Sequence, residues 1–428
     1  MRAPWERDTA LDERMRDGVA GIGSADLLVG IPSYNNASTV EHVARTAARG
    51  LREAFPDART VIVNADGGSR DGTPERVLAG ADGVPAITGA YRGIPGKGSA
   101  FRAIFEAAAR LGVRACAVVD SDLRSITPEW IARLLGPVVE GRATYVAPLY
   151  ARHKHDGTIT NSIAYPLTRA LYGLRVRQPI GGEFGFSGDL AQAFLEGGAA
   201  GGGAPDGADR GPSSVWRTDV AKFGIDIYMT TTALVRGERV AQAFLGAKIH
   251  DPKDPGADLA PMFTQVVGTA FRMAVRNAAA WTPVQGSRPA DTAGVSAAVE
   301  PETVNASAPI LRRNFLAGAA EQRAVWEEML TPEQLALVDA AAAGGSLAPE
   351  RWRSGWARLV YDALLAFGRR PERAGAYITA MVPLYFARVE AFIGEVAEAN
   401  TAGAERAVEQ QARAFEDEKP YLRAGWDR

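Results

Sequence analysis

The sequence has a single cysteine and no long apolar stretch. Cys116 lies inside the apolar run 115–119, so a disulfide within the chain is excluded and a zinc site built from cysteines is disfavoured. No run of 18 or more apolar residues occurs, so no transmembrane helix is predicted. Residues 1–8 carry charges where a signal peptide needs an apolar core. We therefore expect a cytoplasmic protein that does not act at a membrane.

The chain also lacks an excess of one charge. Its 50 acidic residues balance 48 lysines and arginines, which gives no general attraction for nucleic acid or an anionic membrane. Neither is expected as a partner. The composition is that of an ordinary globular protein, and the length of 428 residues predicts two or three domains.

The first half of the sequence alternates strand-like and helix-like segments. Short apolar or β-branched strands are predicted at 25–31, 60–64, 115–119 and 144–149, with helices at 38–55 and 98–111. This alternation predicts an α/β domain with a mostly parallel sheet and helices on both faces. In such sheets ligands bind beyond the carboxyl ends of the strands, so we expect the functional site there.

The second half of the sequence is different in character. Residues 282–309 are rich in Pro, Ser, Thr, Ala and Gly, which predicts a linker or a surface crossing. We therefore divide the chain into an α/β domain (1–281), this segment, and a helical C-terminal domain (310–428). The heavy apolar load of residues 375–398, which include Pro383, predicts a helix buried inside the fold or against a second copy. A homodimer is thus an open alternative.

A pair of acids ends the strand predicted at 115–119. Asp120 and Asp122 are separated by Ser121. At a strand end, two carboxylates one residue apart can reach the same divalent cation, which prefers hard oxygen ligands. Two surface acids at the start of a helix have the same pattern, so the motif alone leaves both interpretations open.

Three other polar motifs precede this pair. Pro32, Tyr34 and Asn35 lie in I-P-S-Y-N-N at one strand end, and Asp66 lies at the next, followed by a glycine-rich turn that allows close backbone approach. Lys97 lies between glycines at a predicted helix start, where the ammonium and the helix dipole both favour phosphate. The spacing of a Walker loop is absent. Four such elements in one order are a more specific signal than any of them alone.

This order of motifs resembles a known family. I-P-S-Y-N-N, D-G-G-S-R-D-G-T, P-G-K-G, D-S-D and Q-P-I-G-G-E are similar to motifs of the GT-A glycosyltransferases that make glucosyl-3-phosphoglycerate and mannosylglycerate. The resemblance covers most of the chain. It implies a GT-A fold followed by a mainly helical region, and a retaining transferase that uses Mn²⁺ or Mg²⁺. The implied donor is GDP-mannose, GDP-glucose or UDP-glucose.

The resemblance also implies roles for individual residues. Asp120, Asp122 and His250 fall on the metal ligands, and a neutral imidazole suits manganese-like ions. Lys97, Glu183 and Asp226 are the expected catalytic residues: Lys97 contacts the donor diphosphate, and the two acids position the sugar. The expected donor-binding residues are Pro32, Tyr34, Asn35, Asp66, Lys97, Asp120, Ser121, Asp122, Gly181, Gly182 and Glu183.

The acceptor is expected to lie against residues 152–160. Arg152, Asp156 and Thr160 reproduce the spacing that surrounds a carboxylate acceptor in mannosylglycerate synthases, with Gly157 and Thr158 between them. Arginine offers a bidentate fork to a carboxylate, and threonine offers a hydroxyl donor. The arginine of the G-R-x-T element, which grips phosphate in the phosphoglycerate enzymes, is missing, and this favours an unphosphorylated acceptor.

These expectations leave several functions open. The first is transfer of glucose or mannose to D-glycerate by front-face attack, giving compatible solutes of the glucosylglycerate or mannosylglycerate type. The second is glucosyl-3-phosphoglycerate synthesis, with residues 153–155 supplying replacement charge for the phosphate. The third is a non-catalytic nucleotide-sugar-binding protein. An inverting transferase would need a catalytic aspartate base and usually a membrane segment, and the sequence shows neither.

Overall fold

The computed structural model describes residues 8–198, 212–249, 259–294, 301–304, 306–344 and 348–427. Within these ranges the chain forms ten strands. They are β1 (Leu27–Ser33), β2 (Thr60–Asp66), β3 (Ala86–Ala90), β4 (Ala115–Val118), β5 (Tyr145–Ala151), β6 (Leu174–Arg175), β7 (Phe184–Ser187), β8 (Val240–Ala247), β9 (Arg288–Pro289) and β10 (Asp291–Ala293).

Sixteen α-helices accompany the strands in the same ranges. They are α1 (Glu13–Ile22), α2 (Val40–Ala54), α3 (Thr73–Gly80), α4 (Lys97–Leu111), α5 (Pro128–Val139), α6 (Tyr165–Tyr172), α7 (Gly188–Leu195), α8 (Ile225–Val235), α9 (Ala260–Arg276), α10 (Ala278–Trp281), α11 (Ala308–Met329), α12 (Pro332–Ala342), α13 (Pro349–Arg369), α14 (Ala374–Glu395), α15 (Thr401–Asp417) and α16 (Lys419–Trp426). A π-helical turn, Thr160–Ala164, leads into α6.

An eight-stranded mixed sheet forms the centre of the α/β part. Its strand order is β10-β8-β5-β7-β4-β1-β2-β3, and every neighbouring pair is parallel except those of β7, which runs antiparallel to β4 and β5. All seven residues of β1 are buried, as expected for a strand covered by helices on both faces. The predicted fold class, a mostly parallel sheet with a helical C-terminal region, is confirmed.

The C-terminal helices share a hydrophobic core with the α/β part. Phe263 and Phe271 of α9 belong to the same buried cluster as Trp326, Trp356 and Tyr385. The segment 282–309 contains β9 and β10, and β10 pairs in parallel with β8 at the edge of the large sheet. The boundaries at 281 and 309 stay a prediction, but the helical region packs directly on α9.

Helix α14 lies within this core. The stretch Pro371–Glu395 is long and apolar enough to cross a membrane by length and composition alone, yet 67% of its most apolar window is buried inside the fold. Its Met381 and Tyr385 are fully buried, so its apolar load is explained by packing within this chain. The homodimer stays a prediction.

Pro383 does not divide α14, which runs unbroken from Ala374 to Glu395. The proline ring faces Gly318 of α11. A Cβ atom at Gly318 would lie 2.2 Å from Cγ of Pro383, so the absence of a side chain there allows α11 and α14 to approach closely.

We predict that Gly318→Ala lowers the free energy of unfolding by about 1–3 kcal/mol, because the rigid proline ring cannot move aside. The control is Gly394→Ala in α14, where no heavy atom lies within 4 Å of the added methyl group. That change should leave stability unchanged or raise it by up to about 1 kcal/mol. Denaturant unfolding followed by circular dichroism measures both, and equal losses in the two variants would contradict the packing argument.

Candidate active site

A cleft of about 870 Å³ gathers residues from all the motifs. It opens beyond the carboxyl ends of β1, β4, β5 and β8, where the sequence predicts the site. The predicted residues that line it are Pro32, Tyr34, Lys97, Asp120, Ser121, Asp122, Arg152, Asp156, Gly157, Thr158, Thr160, Gly181, Gly182 and Asp226. His250 lies outside the described residues. Asn35, Asp66 and Glu183 do not line the cleft but lie next to residues that do.

Asp66 is a buried turn residue. Its carboxylate accepts hydrogen bonds from Ser33 Oγ (2.8 Å), Gly68 N (2.8 Å), Ser69 N (2.7 Å) and Ser69 Oγ (2.6 Å). These four bonds fix the turn after β2 and occupy both oxygens. Asp66 therefore shapes the wall of the cleft, and its contact with the donor stays a prediction.

Asn35 supports the same wall from the turn after β1. Its backbone has a positive φ of 54°, its N–H donates to Ser69 Oγ (2.7 Å), and its Oδ1 accepts from Arg70 N (3.2 Å). The neighbouring Tyr34 is 64% exposed although it is aromatic. Its ring lies beside Gly67 at the rim of the cleft, where it offers a flat apolar surface to a ligand.

A cluster of two lysines and three acids forms the floor of the cleft together with the layer directly behind it, where the fully buried Glu183 lies. Lys97 Nζ lies 2.8 Å from Asp120 Oδ1 and 3.4 Å from Asp226 Oδ1. Lys248 Nζ lies 3.0 Å from Asp120 Oδ2 and 2.9 Å from Glu183 Oε1. Asp120 therefore bridges the two ammonium groups, with one oxygen on each, and this arrangement joins the D-x-D motif to P-G-K-G and Q-P-I-G-G-E.

The local sequence explains how these side chains meet. A Cβ atom at Gly98 would lie 1.8 Å from the Val220 carbonyl oxygen, so glycine allows the start of α4 to pack against the turn before α8. This contact places Lys97 near Asp226. Gly182 has a φ of +96°, and a Cβ atom there would lie 2.3 Å from Asp120 Oδ2. Both glycines are thus needed for the cluster to close.

Burial and charge set the protonation of the cluster. Burial raises the pKa of Glu183 to about 7 against the opposing charge of Lys248. Burial would also raise the pKa of Asp120, but Lys248 and Lys97 hold it well below its ordinary value. Burial raises the pKa of Asp226, and its Oδ1 accepts no hydrogen bond within the part of the chain that the structure describes. This oxygen is available to a ligand hydroxyl.

Lys248 is the site residue that the motifs did not reveal. Its side chain is 6% exposed and lies at the end of β8. It donates to the Gly181 carbonyl (2.9 Å) as well as to the acids, and its ammonium lies 5.6 Å from the centre of the Tyr150 ring. Tyr150 in turn donates a hydrogen bond to Glu183. The feature of the sequence that could have indicated Lys248 is its position at a strand end, two residues before His250.

Asp122 differs from Asp120 in its environment. It lines the cleft and is partly exposed, and no lysine or arginine among the described residues pairs with it. Its carboxylate is therefore the one of the D-x-D pair that faces the cleft without a protein cation. Ser121 between them donates to Asn36 Oδ1 (2.8 Å), which ties the motif to the turn after β1.

Residues 152–160, the predicted acceptor site and called the acceptor loop below, line another part of the cleft. Arg152 Nη1 contacts Asp156 Oδ2 at 2.8 Å, and Arg152 Nε lies 3.4 Å from Gln178 Oε1. The nearby carboxylate of Asp156 thus holds the guanidinium in one orientation. Gly157, with a φ of +64°, packs against the Arg152 side chain. The loop presents a preformed pair of opposite charges with the threonines beside it.

The basic residues 153–155 do not place free cations in the cleft. Lys154 Nζ donates to the carbonyl oxygens of Val396 (2.9 Å), Ala397 (2.8 Å) and Ala399 (3.1 Å) at the end of α14. Burial lowers the pKa of both His153 and His155, which favours their neutral forms. The loop therefore lacks the charge that a phosphate group would need.

Comparisons with known proteins give one family match and several similar solved structures. Residues 28–190 match the model of the glycosyl transferase family 2, and the comparison with curated proteins gives no match. A similar solved structure is glucosyl-3-phosphoglycerate synthase from Mycobacterium tuberculosis with Mn²⁺, UDP and glucosyl-3-phosphoglycerate. It is 22% identical, with 62% of this chain and 84% of that chain covered and a TM-score of 0.43.

The same enzyme with Mg²⁺ and UDP matches at 21% identity, with coverages of 63% and 85% and a TM-score of 0.42. Its complex with Mn²⁺, UDP-glucose and glycerol 3-phosphate matches at 21% identity, with coverages of 63% and 86% and a TM-score of 0.41. The resemblance indicated by the order of the motifs is confirmed by the match of residues 28–190 to this family model.

We predict that Lys248→Met lowers the free energy of unfolding by about 3–5 kcal/mol, because it leaves Asp120 and Glu183 buried with one cation fewer. Lys222→Met serves as the control, since Lys222 is less buried and has no ion pair among the described residues. Denaturant unfolding of both variants at neutral pH is the measurement. A Lys248 variant as stable as the control would show that the cluster does not depend on this lysine.

Proposed function

We propose that this protein is a retaining, metal-dependent hexosyltransferase that moves glucose or mannose from a nucleotide sugar to a small carboxylate acceptor such as D-glycerate. The observation that supports this most strongly is the cluster of Lys97, Lys248, Asp120, Glu183 and Asp226 on the floor of the cleft. The cluster combines cations that can bind a diphosphate with acids that can bind sugar hydroxyls. It lies between the ring of Tyr34 at the rim of the cleft and the acceptor loop.

The donor is proposed to lie along the side of the cleft formed by β1 and α4. Tyr34 offers an exposed ring on which a nucleobase can stack, and Lys97 begins α4, where the ammonium and the helix N-terminus both favour the diphosphate. Neither contact selects uracil over guanine. UDP-glucose, GDP-glucose and GDP-mannose are therefore all candidate donors.

The proposed metal ion, Mn²⁺ or Mg²⁺, is expected at Asp120, Asp122 and His250. The carboxylates are hard oxygen donors that suit either ion, and Asp122 faces the cleft without a protein cation. Both oxygens of Asp120 contact lysines, so Asp122 is the better placed for direct coordination. The described residues hold no group of three potential ligands, and the set is complete only with His250. When bound, the ion would neutralise charge on the leaving diphosphate.

The protein residues are proposed to orient a front-face substitution. The acceptor hydroxyl oxygen forms a bond to the anomeric carbon as the bond from that carbon to the diphosphate oxygen breaks, and its proton passes to a departing phosphate oxygen. Lys97 stabilises the departing diphosphate. Asp226 Oδ1, whose ion pair with Lys97 is long at 3.4 Å, accepts a hydrogen bond from a sugar hydroxyl, and Glu183 keeps Lys248 against Asp120.

The acceptor loop favours an unphosphorylated acid over 3-phosphoglycerate. Arg152 is held in place by Asp156, which suits one carboxylate, and Thr158 and Thr160 stand beside it in the cleft. Phosphate carries more charge and calls for more cations, yet Lys154 is directed to the end of α14. The acceptor loop therefore favours transfer to D-glycerate over glucosyl-3-phosphoglycerate synthesis.

We expect the purified protein to transfer hexose to D-glycerate from at least one of UDP-glucose, GDP-glucose and GDP-mannose when Mn²⁺ or Mg²⁺ is present. The same panel with 3-phosphoglycerate should give much lower kcat/KM, because the acceptor loop lacks a free cation. Mass spectrometry identifies the products. Efficient use of 3-phosphoglycerate would favour the second function, whereas nucleotide-sugar binding without transfer or donor hydrolysis would support the non-catalytic alternative.

Asp122→Ala and His250→Ala should each reduce transfer by about 10²-fold or more, as expected for the loss of a charge stabiliser in the transition state. Neither change should lower the thermal stability much, because Asp122 lies at the cleft surface. Asp57→Ala, in an exposed turn, is the matched control and should keep full activity. The assay is run with limiting metal, and two fully active variants would show that the metal assignment is wrong.

A further inference from the structure

Helices of the C-terminal region hold the acceptor side of the cleft at three points. Lys154 donates to carbonyl oxygens at the end of α14. Thr158 Oγ1 lies 2.6 Å from the Tyr385 hydroxyl, also on α14. Trp356 of α13 donates from Nε1 to the Ser162 carbonyl (2.7 Å) in the π-helical turn that follows the loop. The position of the acceptor loop therefore depends on residues more than 190 positions away in the sequence.

Tyr385 is the contact that reaches a residue lining the cleft. Its side chain is fully buried, and its ring stacks on Phe263 of α9 with the ring centres 4.5 Å apart and the planes at 24°. Phe263 is itself fully buried. Stacking between two buried rings leaves the tyrosine little freedom to rotate, so the position of its hydroxyl is fixed. Thr158, only 3% exposed, lines the cleft directly in front of it.

The direction of this hydrogen bond follows from the surroundings. Among the described residues, Thr158 Oγ1 is the hydrogen-bond partner of the Tyr385 hydroxyl. If the threonine were the donor, the phenol hydrogen would be buried without an acceptor, which is unfavourable. Burial also raises the pKa of Tyr385, so its hydroxyl keeps its proton. Donation from Tyr385 to Thr158 Oγ1 is thus the arrangement that satisfies the buried phenol hydrogen.

We propose that Tyr385 is a positioning residue of the acceptor site, which commits the Thr158 hydroxyl to donate its own hydrogen to the bound acceptor. A threonine hydroxyl can normally donate or accept. Here one of its two lone pairs is taken by Tyr385, and its hydrogen is left for an oxygen that only accepts, such as that of a carboxylate. This inference rests on the proposed function and extends it, because it gives the helical region a part in acceptor selection.

The test is Tyr385→Phe, which removes one oxygen and keeps the ring that stacks on Phe263. With the hydroxyl lost, Thr158 can rotate and form other hydrogen bonds. We expect the KM for the carboxylate acceptor to rise about tenfold, the value for one lost hydrogen bond to a charged group. The KM for the donor and the rate of donor hydrolysis without acceptor should not change.

Two further variants separate positioning from general damage to the fold. Thr158→Val should raise the acceptor KM to the same degree, and adding Tyr385→Phe to it should have no further effect, since both remove one interaction. Tyr361→Phe is the matched control. Tyr361 is a buried tyrosine of α13 that donates to the Phe415 carbonyl (2.5 Å), and its loss should leave the acceptor KM unchanged.

Hydrogen–deuterium exchange of the substrate-free protein gives a readout that needs no acceptor. Tyr385→Phe should increase amide exchange in residues 156–160, whereas Tyr361→Phe should not. Unchanged exchange in that segment, an unchanged acceptor KM or additive effects in the double variant would overturn the proposal. By contrast, a wild-type protein that transfers sugar to no carboxylate acceptor would refute the proposed function, and the exchange experiment would still decide the role of Tyr385.

Discussion

The site depends on the mutual compensation of buried charges. Three carboxylates and two ammonium groups lie on the floor of one cleft, and none is stable there without the others, because an unpaired charge of low exposure is strongly unfavourable. Asp120 is central, since each of its oxygens contacts a different lysine. The order of the sheet makes this possible. β7 inserts antiparallel between β4 and β5 and so places Glu183 beside the end of β4.

Local patterns predicted those parts of the site that are close in sequence. The strands that lead to Asp66 and Asp120, and the helix that begins at Lys97, are marked by apolar runs, turn residues and glycines. The partners of these residues are not. Lys248 is 128 positions from Asp120. Nothing in the alanine-rich sequence of β8 shows that the residue directly after this strand contacts the acid at the end of β4. At Asp66 the position is predicted but the role is not, because an acid that stabilises a turn and an acid that binds a ligand have the same local sequence.

In the helical C-terminal region, too, the elements could be predicted from local sequence, whereas their packing partners could not. Its helices and the buried nature of α14 follow from apolar periodicity. Which surface buries α14 could not be predicted, because the same apolar load suits a dimer interface and an internal core. In the structure α14 packs on α9 and α11 and reaches the acceptor loop through Tyr385. This packing joins the helices to the cleft, and the homodimer stays a prediction.

The two sides of the cleft are therefore held by different kinds of interaction. The proposed donor side is built on ion pairs in which Lys97, Lys248 and Asp120 each have two partners, so a substitution of any of these three disturbs the whole cluster. The proposed acceptor side is held by separate hydrogen bonds that join Lys154, Thr158 and Ser162 to α13, to α14 and to the residues directly after α14. Such contacts can change one at a time, because each has its own partner. In the proposed function, a fold arranged in this way can keep its donor site while the packing of the C-terminal helices alters the acceptor site.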